Sequence, residues 1–387
     1  MKILQLGKFY PIRGGVEKVM WDITAGLSRK NIPCDMLCAV LPDRQIDWKD
    51  APYQQTRDGM LAFCLGGANT VYCAPARKKV AGTMLSPAMI SVLRRICKDY
   101  DIIHVHHPDP MACLALRLSG YKGKVVLHWH SDIVSQKGLL RLYKPLQRWL
   151  IKRADVIVGT TPVYLEESPF LRHVPKEKKR VVPIGIDPVP HNEAEVKQVL
   201  EKYKGRKIIF TLGRIVPYKG YDYLIEAARF LPDDYLVLIG GSGPQFAHMQ
   251  QMVYNLCISD KVEMLGYLSD EKAHALFHAC QVFVLPSVMK TEAFGIVQIE
   301  AMSCGKPLVA TQIPGSGVSW VNQDGVSGLN VPCRNAWALS QAIRDICEDP
   351  ALYERYSSGS RQRYNHVFTS QLMIDQCLNI YENLLQA

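Results

Sequence analysis

The stretch Val284-Leu-Pro-Ser-Val-Met-Lys-Thr-Glu-Ala-Phe-Gly-Ile-Val-Gln-Ile-Glu-Ala-Met302 constrains the fold more than any other. Residues 281–285 form a short apolar run ending in Pro-Ser, which reads as a strand of a parallel sheet covered on both faces. Beyond Gly295, Ile296, Ile299 and Met302, with Ala301, fall at helical spacing, so Phe294 and Gly295 should stand at a helix N-terminus. Unpaired amides there favour an anion such as a diphosphate. A strand-to-helix turn of this kind lies at the carboxyl edge of a parallel sheet, the edge at which ligands bind. Glu292 falls on the loop and Glu300 in the second helical turn, with seven residues between them. That spacing suits contacts to different parts of one long ligand better than a facing acid and base. Charged residues are mostly surface residues, but Glu300 is embedded in an apolar segment, which favours a specific buried contact.

The same strand, turn and helix pattern recurs along the chain. Strands are expected at 2–6, 35–40, 102–106, 124–128, 156–159, 180–183, 208–212, 235–239 and 308–311. Helical segments fall between them, the first at 16–27, and the chain reads as helical after Cys333. Such alternation predicts doubly wound parallel sheets of the α/β class. With 387 residues and 48% apolar content there is material for two full domains. The passage between them is expected at Val182-Pro-Ile-Gly-Ile-Asp187-Pro188, followed by a polar helix at 191–204.

Composition narrows the function classes. Twelve cysteines occur without a Cys-x-x-Cys pair, which fits reduced thiols in a cytosolic protein and neither a disulfide scaffold nor a zinc site. The opening residues are too short an apolar run for a signal peptide, and no stretch reaches the length of a membrane span. The net charge of +10 is uneven: residues 1–187 carry 29 Lys and Arg against 16 Asp and Glu, the remainder 17 against 20. A basic first half points to an anionic surface or substrate. No nucleic-acid-binding signature accompanies it, so an anionic membrane or a lipid-diphosphate acceptor is the better match.

Several groups of residues carry chemistry. Gly14-Gly15 follows the first strand, where glycines let backbone amides approach a ligand closely. His104-Val-His106-His107-Pro108-Asp109 and His128-Trp-His130-Ser131-Asp132 end two strands at the same expected edge. Clustered His and Asp suggest a metal, but no ligand spacing supports one. Gly213-Arg214-Ile-Val-Pro-Tyr-Lys219-Gly220 sets two cations on a strand-to-helix loop, a pair suited to a diphosphate. Gly240-Gly-Ser-Gly-Pro244 is neither a dinucleotide fingerprint nor a Walker loop. Gly315-Ser-Gly317 is expected near the same ligand. Residues 138–153 interleave Leu142, Leu146 and Leu150 with Arg141, Lys144, Arg148 and Lys152, an amphipathic pattern that Pro145 is expected to start or break. Asp99-Tyr-Asp101 resembles a metal-binding Asp-x-Asp but precedes a strand, at the wrong edge.

Glu292-Ala-Phe-Gly-Ile-Val-Gln-Ile-Glu300 resembles the two-glutamate motif of retaining, nucleotide-sugar-dependent glycosyltransferases of family four. Gly14-Gly-x-Glu17, His130-Ser-Asp132 and Gly213-Arg-x(4)-Lys-Gly220 extend the resemblance over nearly the whole chain. It implies the GT-B architecture: two Rossmann-like doubly wound domains facing a cleft, with a last helix crossing back to the first. The expected division is 1–186 for the acceptor, 187–366 for the nucleotide sugar and 367–387 for the returning helix. The resemblance implies that Arg214 and Lys219 neutralise the donor diphosphate, Glu300 takes the ribose hydroxyls, Glu292 a sugar hydroxyl, and His130 positions the sugar. Gly14, Gly15, Gly266, Tyr267, Ala293, Phe294, Gly295 and Ile296 complete the donor contacts, and His107 and Asp109 are the acceptor candidates. No metal and no cofactor are expected. The implied reaction is hexose transfer, favoured as mannose from GDP-mannose, to a lipid-linked glycan of bacterial O-antigen or related polysaccharide. Such an enzyme would work in the cytoplasm, peripherally at the inner face of the plasma membrane. A UDP-sugar-dependent enzyme of the same family, an epimerase or glycogen-type synthase of the same architecture, and a non-catalytic sugar-nucleotide-binding module are the alternatives.

Overall fold

A computed structural model describes all residues except 11, 13, 42–52, 56–60, 66–68, 81, 134–136 and 387. The chain divides into two compact units, Met1–Gly185 with Ser370–Ala387, and Ile186–Thr369.

In the first unit the chain runs β1 (Ile3–Phe9), α1 (Gly15–Arg29), β2 (Cys34–Val40), β3 (Tyr53–Gln55), β4 (Leu61–Cys64), β5 (Thr70–Pro75), β6 (Lys78–Val80), β7 (Thr83–Leu85), α2 (Pro87–Ile96), β8 (Ile102–His107), α3 (Pro110–Ser119), β9 (Lys124–Trp129), α4 (Lys137–Arg153), β10 (Val156–Gly159), α5 (Pro162–Glu167) and β11 (Lys179–Val181). The sheet order is β11-β10-β9-β8-β1-β2-β5-β4-β3. From β11 to β5 the pairs are parallel; β2 and β8 are buried throughout, and in β1 and β9 only Lys8 and Lys124 among the described side chains are partly exposed, as the apolar runs require.

Two expectations need correction here. The first unit is not wholly an alternation of strands and helices: β4 pairs antiparallel with β5, β3 with β4, and β6 with β7 in a separate hairpin. These short edge strands lack a long apolar run, so periodicity misses them. Pro145 neither starts nor breaks a helix, because α4 continues from Lys137 to Arg153 around it. Pro145 and Arg141 are both exposed, so the carbonyl that loses its partner lies where water can replace it.

In the second unit α6 (Glu193–Lys202) leads into β12 (Lys207–Leu212), α7 (Tyr221–Ala228), β13 (Tyr235–Gly240), α8 (Phe246–Asn255), β14 (Val262–Gly266), α9 (Asp270–Ala279), β15 (Val282–Leu285), α10 (Ile296–Ser303), β16 (Leu308–Gln312), α11 (Val318–Val321), β17 (Gly328–Pro332), α12 (Ala336–Glu348) and α13 (Pro350–Val367). Its sheet is all parallel, in the order β14-β13-β12-β15-β16-β17. The central strands carry the core, with Ile209, Val237, Val282 and Val309 wholly buried. This strand order places a topological switch point between β12 and β15, where crossovers leave toward opposite faces and a crevice opens at the carboxyl ends. In the first unit the equivalent position lies between β1 and β8.

The last helix, α14 (Ser370–Gln386), belongs to the first unit and packs on α1. Ile374 and Tyr381 are buried, and the contact is close because Gly26 has no side chain: a Cβ there would lie 2.0 Å from Ile374 Cδ1. Among the described residues no helix is long and apolar enough to cross a membrane, and all twelve cysteines are free thiols. The packing predicts that Gly26→Ala destabilises the first unit by about 1–3 kcal/mol, the usual cost of an overpacked contact. Ile374→Val, which removes the clashing methyl, should recover part of that loss in the double variant. Urea unfolding of the three chains checks it, and an unchanged Gly26→Ala midpoint contradicts the packing.

Candidate functional site

The switch point of the second unit holds the residues that the sequence sets at strand ends. β12 delivers Gly213, Arg214 and, through a 3₁₀ turn at Pro217–Lys219, the side chain of Lys219. β15 delivers the loop that carries Glu292 and ends at Gly295, which caps α10 with φ +77°. Lys219 Nζ lies 2.6 Å from Glu292 Oε2, with each side chain only about a tenth exposed. The Ser287 hydroxyl donates to the same oxygen at 3.1 Å. Burial alone would favour the neutral amine, but Glu292 and the nearby Tyr221 and Tyr218 hydroxyls raise Lys219 above the ordinary lysine value, so it stays an ammonium. The two residues expected to contact different parts of a ligand are thus bonded to each other.

The Glu292 loop is held from behind. Val288 N–H donates to the Tyr218 carbonyl at 2.8 Å, and Gly317 N–H to the Ala293 carbonyl at 3.0 Å. The hydroxyls of Thr311 and Ser316 donate to the carbonyls of Ser287 and Glu292. Gly315-Ser-Gly317 therefore positions the glutamate loop. Gly213 leaves room for the ammonium, since a Cβ there would come 3.3 Å from Lys219 Nζ. Arg214 is exposed on the loop after β12, Glu300 and Ile296 are half-buried, and Tyr267 is 82% exposed at the end of β14, after Gly266 at φ +70°. Phe294 is buried edge-on against Phe368, so only its backbone is left for a ligand.

In the first unit, Gly14 caps α1 and Gly15 begins it, with the buried carboxylate of Glu17 beside them: a Cβ at Gly14 would meet Glu17 Oε2 at 2.5 Å. His104 and His106 on β8, His128 on β9 and His130 just beyond it form one buried stack. His128 and His130 lie 4.0 Å apart at 14°, His106 and His130 5.2 Å apart at 13°. Ligand atoms of His106, His128 and His130 come within 4.8 Å of one another. Imidazole lone pairs lie in the ring planes, however, and near-parallel planes do not converge on one ion. Both His106 nitrogens are also engaged, Nδ1 with His130 Nε2 at 2.9 Å and Nε2 with Gln5 Oε1 at 2.8 Å. The geometry is that of a hydrogen-bonded stack.

The two acceptor candidates are committed to the structure. His107 is wholly buried, stacked on Trp129 at 3.7 Å and bonded to Gln147 at 3.1 Å. Asp109 caps α3, accepting from Met111 and Ala112 N–H at 2.9 and 3.1 Å and from Lys8 N–H at 2.5 Å. His107 Nδ1 is buried without a partner among the described residues, and both Asp109 oxygens are engaged. Their position at a strand end suggests a site, and the packing that assigns them to the core lies on α3, α4 and β9. Asp101, from the Asp-x-Asp pair, accepts the Lys2 N–H ahead of β8.

Sequence reasoning missed Gln5, Ser287 and Tyr381. Gln5 is wholly buried between Leu4 and Leu6, and a polar residue inside a strand that reads as fully buried must have partners. That signal was available. Its partners were not.

A family model described as glycosyltransferase family 4 matches residues 13–189, and one described as glycosyl transferases group 1 matches residues 192–363. The O-antigen chain mannosyltransferase C of Escherichia coli is 31% identical, with the whole of both chains covered. The D-rhamnosyltransferase WbpZ of Pseudomonas aeruginosa is 33% identical over 79% of each chain. Among solved structures, the Anabaena protein HepE in complex with UDP superposes with a TM-score of 0.79 at 19% identity, covering 99% of this chain and all of the other. The fold is that of the GT-B glycosyltransferases. The chain belongs to glycosyltransferase family 4, with a group 1 glycosyltransferase domain as its second half.

Two outcomes follow. Lys219→Met leaves Glu292 buried without its cation and should cost about 3–5 kcal/mol, whereas the double variant with Glu292→Gln should regain most of it. Denaturant midpoints of the single and double variants measure this, and an undestabilised single variant contradicts the pair. The histidine stack predicts the pH dependence. Burial, first, and the neighbouring positive groups hold His104, His106 and His130 well below the ordinary value, and burial takes His128 to about 3. The unfolded chain binds these protons at about pH 6.5 and the native chain only at much lower pH, so this stability is fully present above about pH 6.5 and is lost as pH falls below it toward the depressed native values. Each histidine contributes up to about 1.4 kcal/mol per pH unit. Unfolding midpoints at pH 7.5 and 5.5 should differ steeply, and a flat profile rules out a neutral stack.

Proposed function

We propose that the chain transfers a hexose from a nucleotide-diphosphate sugar, with retention, to a lipid-linked glycan acceptor of O-antigen or related surface-polysaccharide synthesis. The observation that carries this reading is the Lys219–Glu292 pair at the switch point of an all-parallel sheet, with Arg214 exposed on the same loop as Lys219. A donor diphosphate entering there meets a fixed ammonium and a forked guanidinium, which stabilise the charge that develops as the bond to the anomeric carbon breaks. Amides at the start of α10 add to that field. Glu292, held against Lys219, accepts a hydrogen bond from a sugar hydroxyl and so ties sugar to phosphate. No side chain within this constellation is set as a nucleophile toward the sugar, and a donor phosphate oxygen takes the acceptor's proton.

Mannose from GDP-mannose is favoured because the E. coli relative that matches over the full length is named a mannosyltransferase of the O-antigen chain. The UDP bound to HepE supports the alternative, a UDP-sugar donor on the same fold. Tyr267, one of the expected donor contacts, is exposed at the end of β14. Peripheral contact with an anionic membrane at the cytoplasmic face is supported by the α4 surface, where Leu142 is 79% exposed among Arg141, Lys144 and Arg148.

Calorimetric titration with GDP and UDP separates the donors: clear GDP binding with negligible UDP binding is expected, and the reverse preference replaces mannose by a UDP-hexose or UDP-N-acetylhexosamine. Transfer itself is tested by nucleotide release that requires acceptor lipid. Lys219→Ala should lower kcat/KM by the equivalent of about 2–4 kcal/mol. Wild-type turnover in that variant, or the absence of release from the wild type, overturns the proposal.

A further inference from the structure

The last helix reaches the histidine stack of its unit. Tyr381 on α14 is wholly buried, and its hydroxyl lies 2.5 Å from His104 Nδ1 and 3.2 Å from Gln5 Nε2. Gln5 Oε1 lies 2.8 Å from His106 Nε2, and His106 Nδ1 lies 2.9 Å from His130 Nε2. Five side chains from β1, β8, α14 and the end of β9 thus form one unbranched chain of hydrogen bonds. It ends at His130 Nδ1, which is buried and has no partner among the described residues.

Such a chain has two proton arrangements. A neutral imidazole carries one N–H, a tyrosine hydroxyl donates once, and an amide turned over exchanges its donor and acceptor ends. In the first arrangement Tyr381 donates to His104 Nδ1 and accepts from the Gln5 amide. Gln5 Oε1 then accepts from His106 Nε2–H, and His106 Nδ1 from His130 Nε2–H, which leaves His130 Nδ1 bare. In the second every bond is reversed, so His104, His106 and His130 each carry the proton on Nδ1.

Two observations select the first. With Gln5 oriented so, both of its amide hydrogens are used, one on Tyr381 and one on Cys34 Sγ at 3.7 Å, whereas the reversed amide aims both hydrogens at His106 alone. The first arrangement also puts the proton of all three histidines on Nε2, the more stable position in an isolated neutral imidazole. Burial keeps the rings neutral, so neither arrangement is relieved by taking up a proton.

We infer that Tyr381, through Gln5 and His106, is a positioning residue that holds His130 as its Nε2–H tautomer, so that His130 meets its ligand as a hydrogen-bond acceptor for a hydroxyl and not as a donor to phosphate. The identity of that hydroxyl as one on the donor sugar rests on the glycosyl-transfer reading. The tautomer does not. Tyr381 stands 376 residues from Gln5 in sequence, so the protonation of a residue in the first half of the chain is fixed by its last helix.

The full-length chain labelled with ¹⁵N-histidine tests this in the absence of ligand, since bare and protonated ring nitrogens give well-separated resonances. His130→Asn and His106→Asn assign the signals by their loss. The expected result is a bare Nδ1 and a protonated Nε2 on His130 in the wild type. Tyr381→Phe frees the Gln5 amide to turn and should move the His130 and His106 protons toward Nδ1. His104→Leu, which leaves the tyrosine hydroxyl free to donate to Gln5, should do the same by an independent route. A wild-type His130 protonated at Nδ1, or a tautomer unchanged in both variants, overturns the inference. In transfer assays Tyr381→Phe should lower kcat/KM by about tenfold, the worth of one hydrogen bond, while affinity for the free nucleoside diphosphate is unchanged. An equal loss of nucleoside-diphosphate affinity would indicate a structural role and overturn the positioning role. Should the wild type show the tautomer but no transfer, the reading of the site fails and the relay stands.

Discussion

Buried charge and buried polar groups must find partners within the fold, and in this chain that requirement is concentrated at the carboxyl ends of central strands. A lysine ammonium and a glutamate carboxylate that are each nine-tenths covered would be very costly apart. Together at 2.6 Å, with a serine hydroxyl on the same carboxylate, they form a stable unit at the mouth of the β12–β15 crevice. The sheet order creates that mouth, and the contact with Glu292 keeps the Lys219 amine charged within it. The loops after β12 and β15, and the Gly315-Ser-Gly317 turn behind them, are arranged around this pair.

The same constraint acts differently in the first unit. There the groups at the strand ends are imidazoles, which can be neutral, and burial keeps them so. Their polar atoms are served by one another, by a glutamine inside a strand and by a tyrosine from the end of the chain. A neutral stack contributes orientation and proton placement where an ion pair contributes field.

Sheet topology also separates residues that look equivalent in sequence. His107 and His130 both follow strands and both sit in His/Asp-rich segments. His107 points toward Trp129 and Tyr143 and joins the core, whereas His130 joins the stack on the other side of its strand. Successive side chains on a strand face opposite ways, so His106 and His107 diverge by that rule alone. Asp109 is drawn into capping α3, a role its place before Pro110 permits.

Local pattern by itself determined the α/β class, the long central strands, the helices after Gly14 and Gly295, the latter bearing Glu300, and the loops bearing Arg214, Lys219 and Glu292. These depend on periodicity and on glycines placed where the chain must turn or let a ligand approach, and such signals are local. Tertiary structure decided what local pattern could not. The antiparallel strands β3, β4, β6 and β7 are too short to show a period. Whether Pro145 ends α4 depends on the exposure of the helix face. The pairing of Lys219 with Glu292, and of Gln5 with His106 and Tyr381, follows from which strands and helices lie side by side. Strand order is set by long-range burial and by the hand of each crossover, and no stretch of sequence contains it, so the partners of the most consequential polar side chains become legible only once the chain is folded.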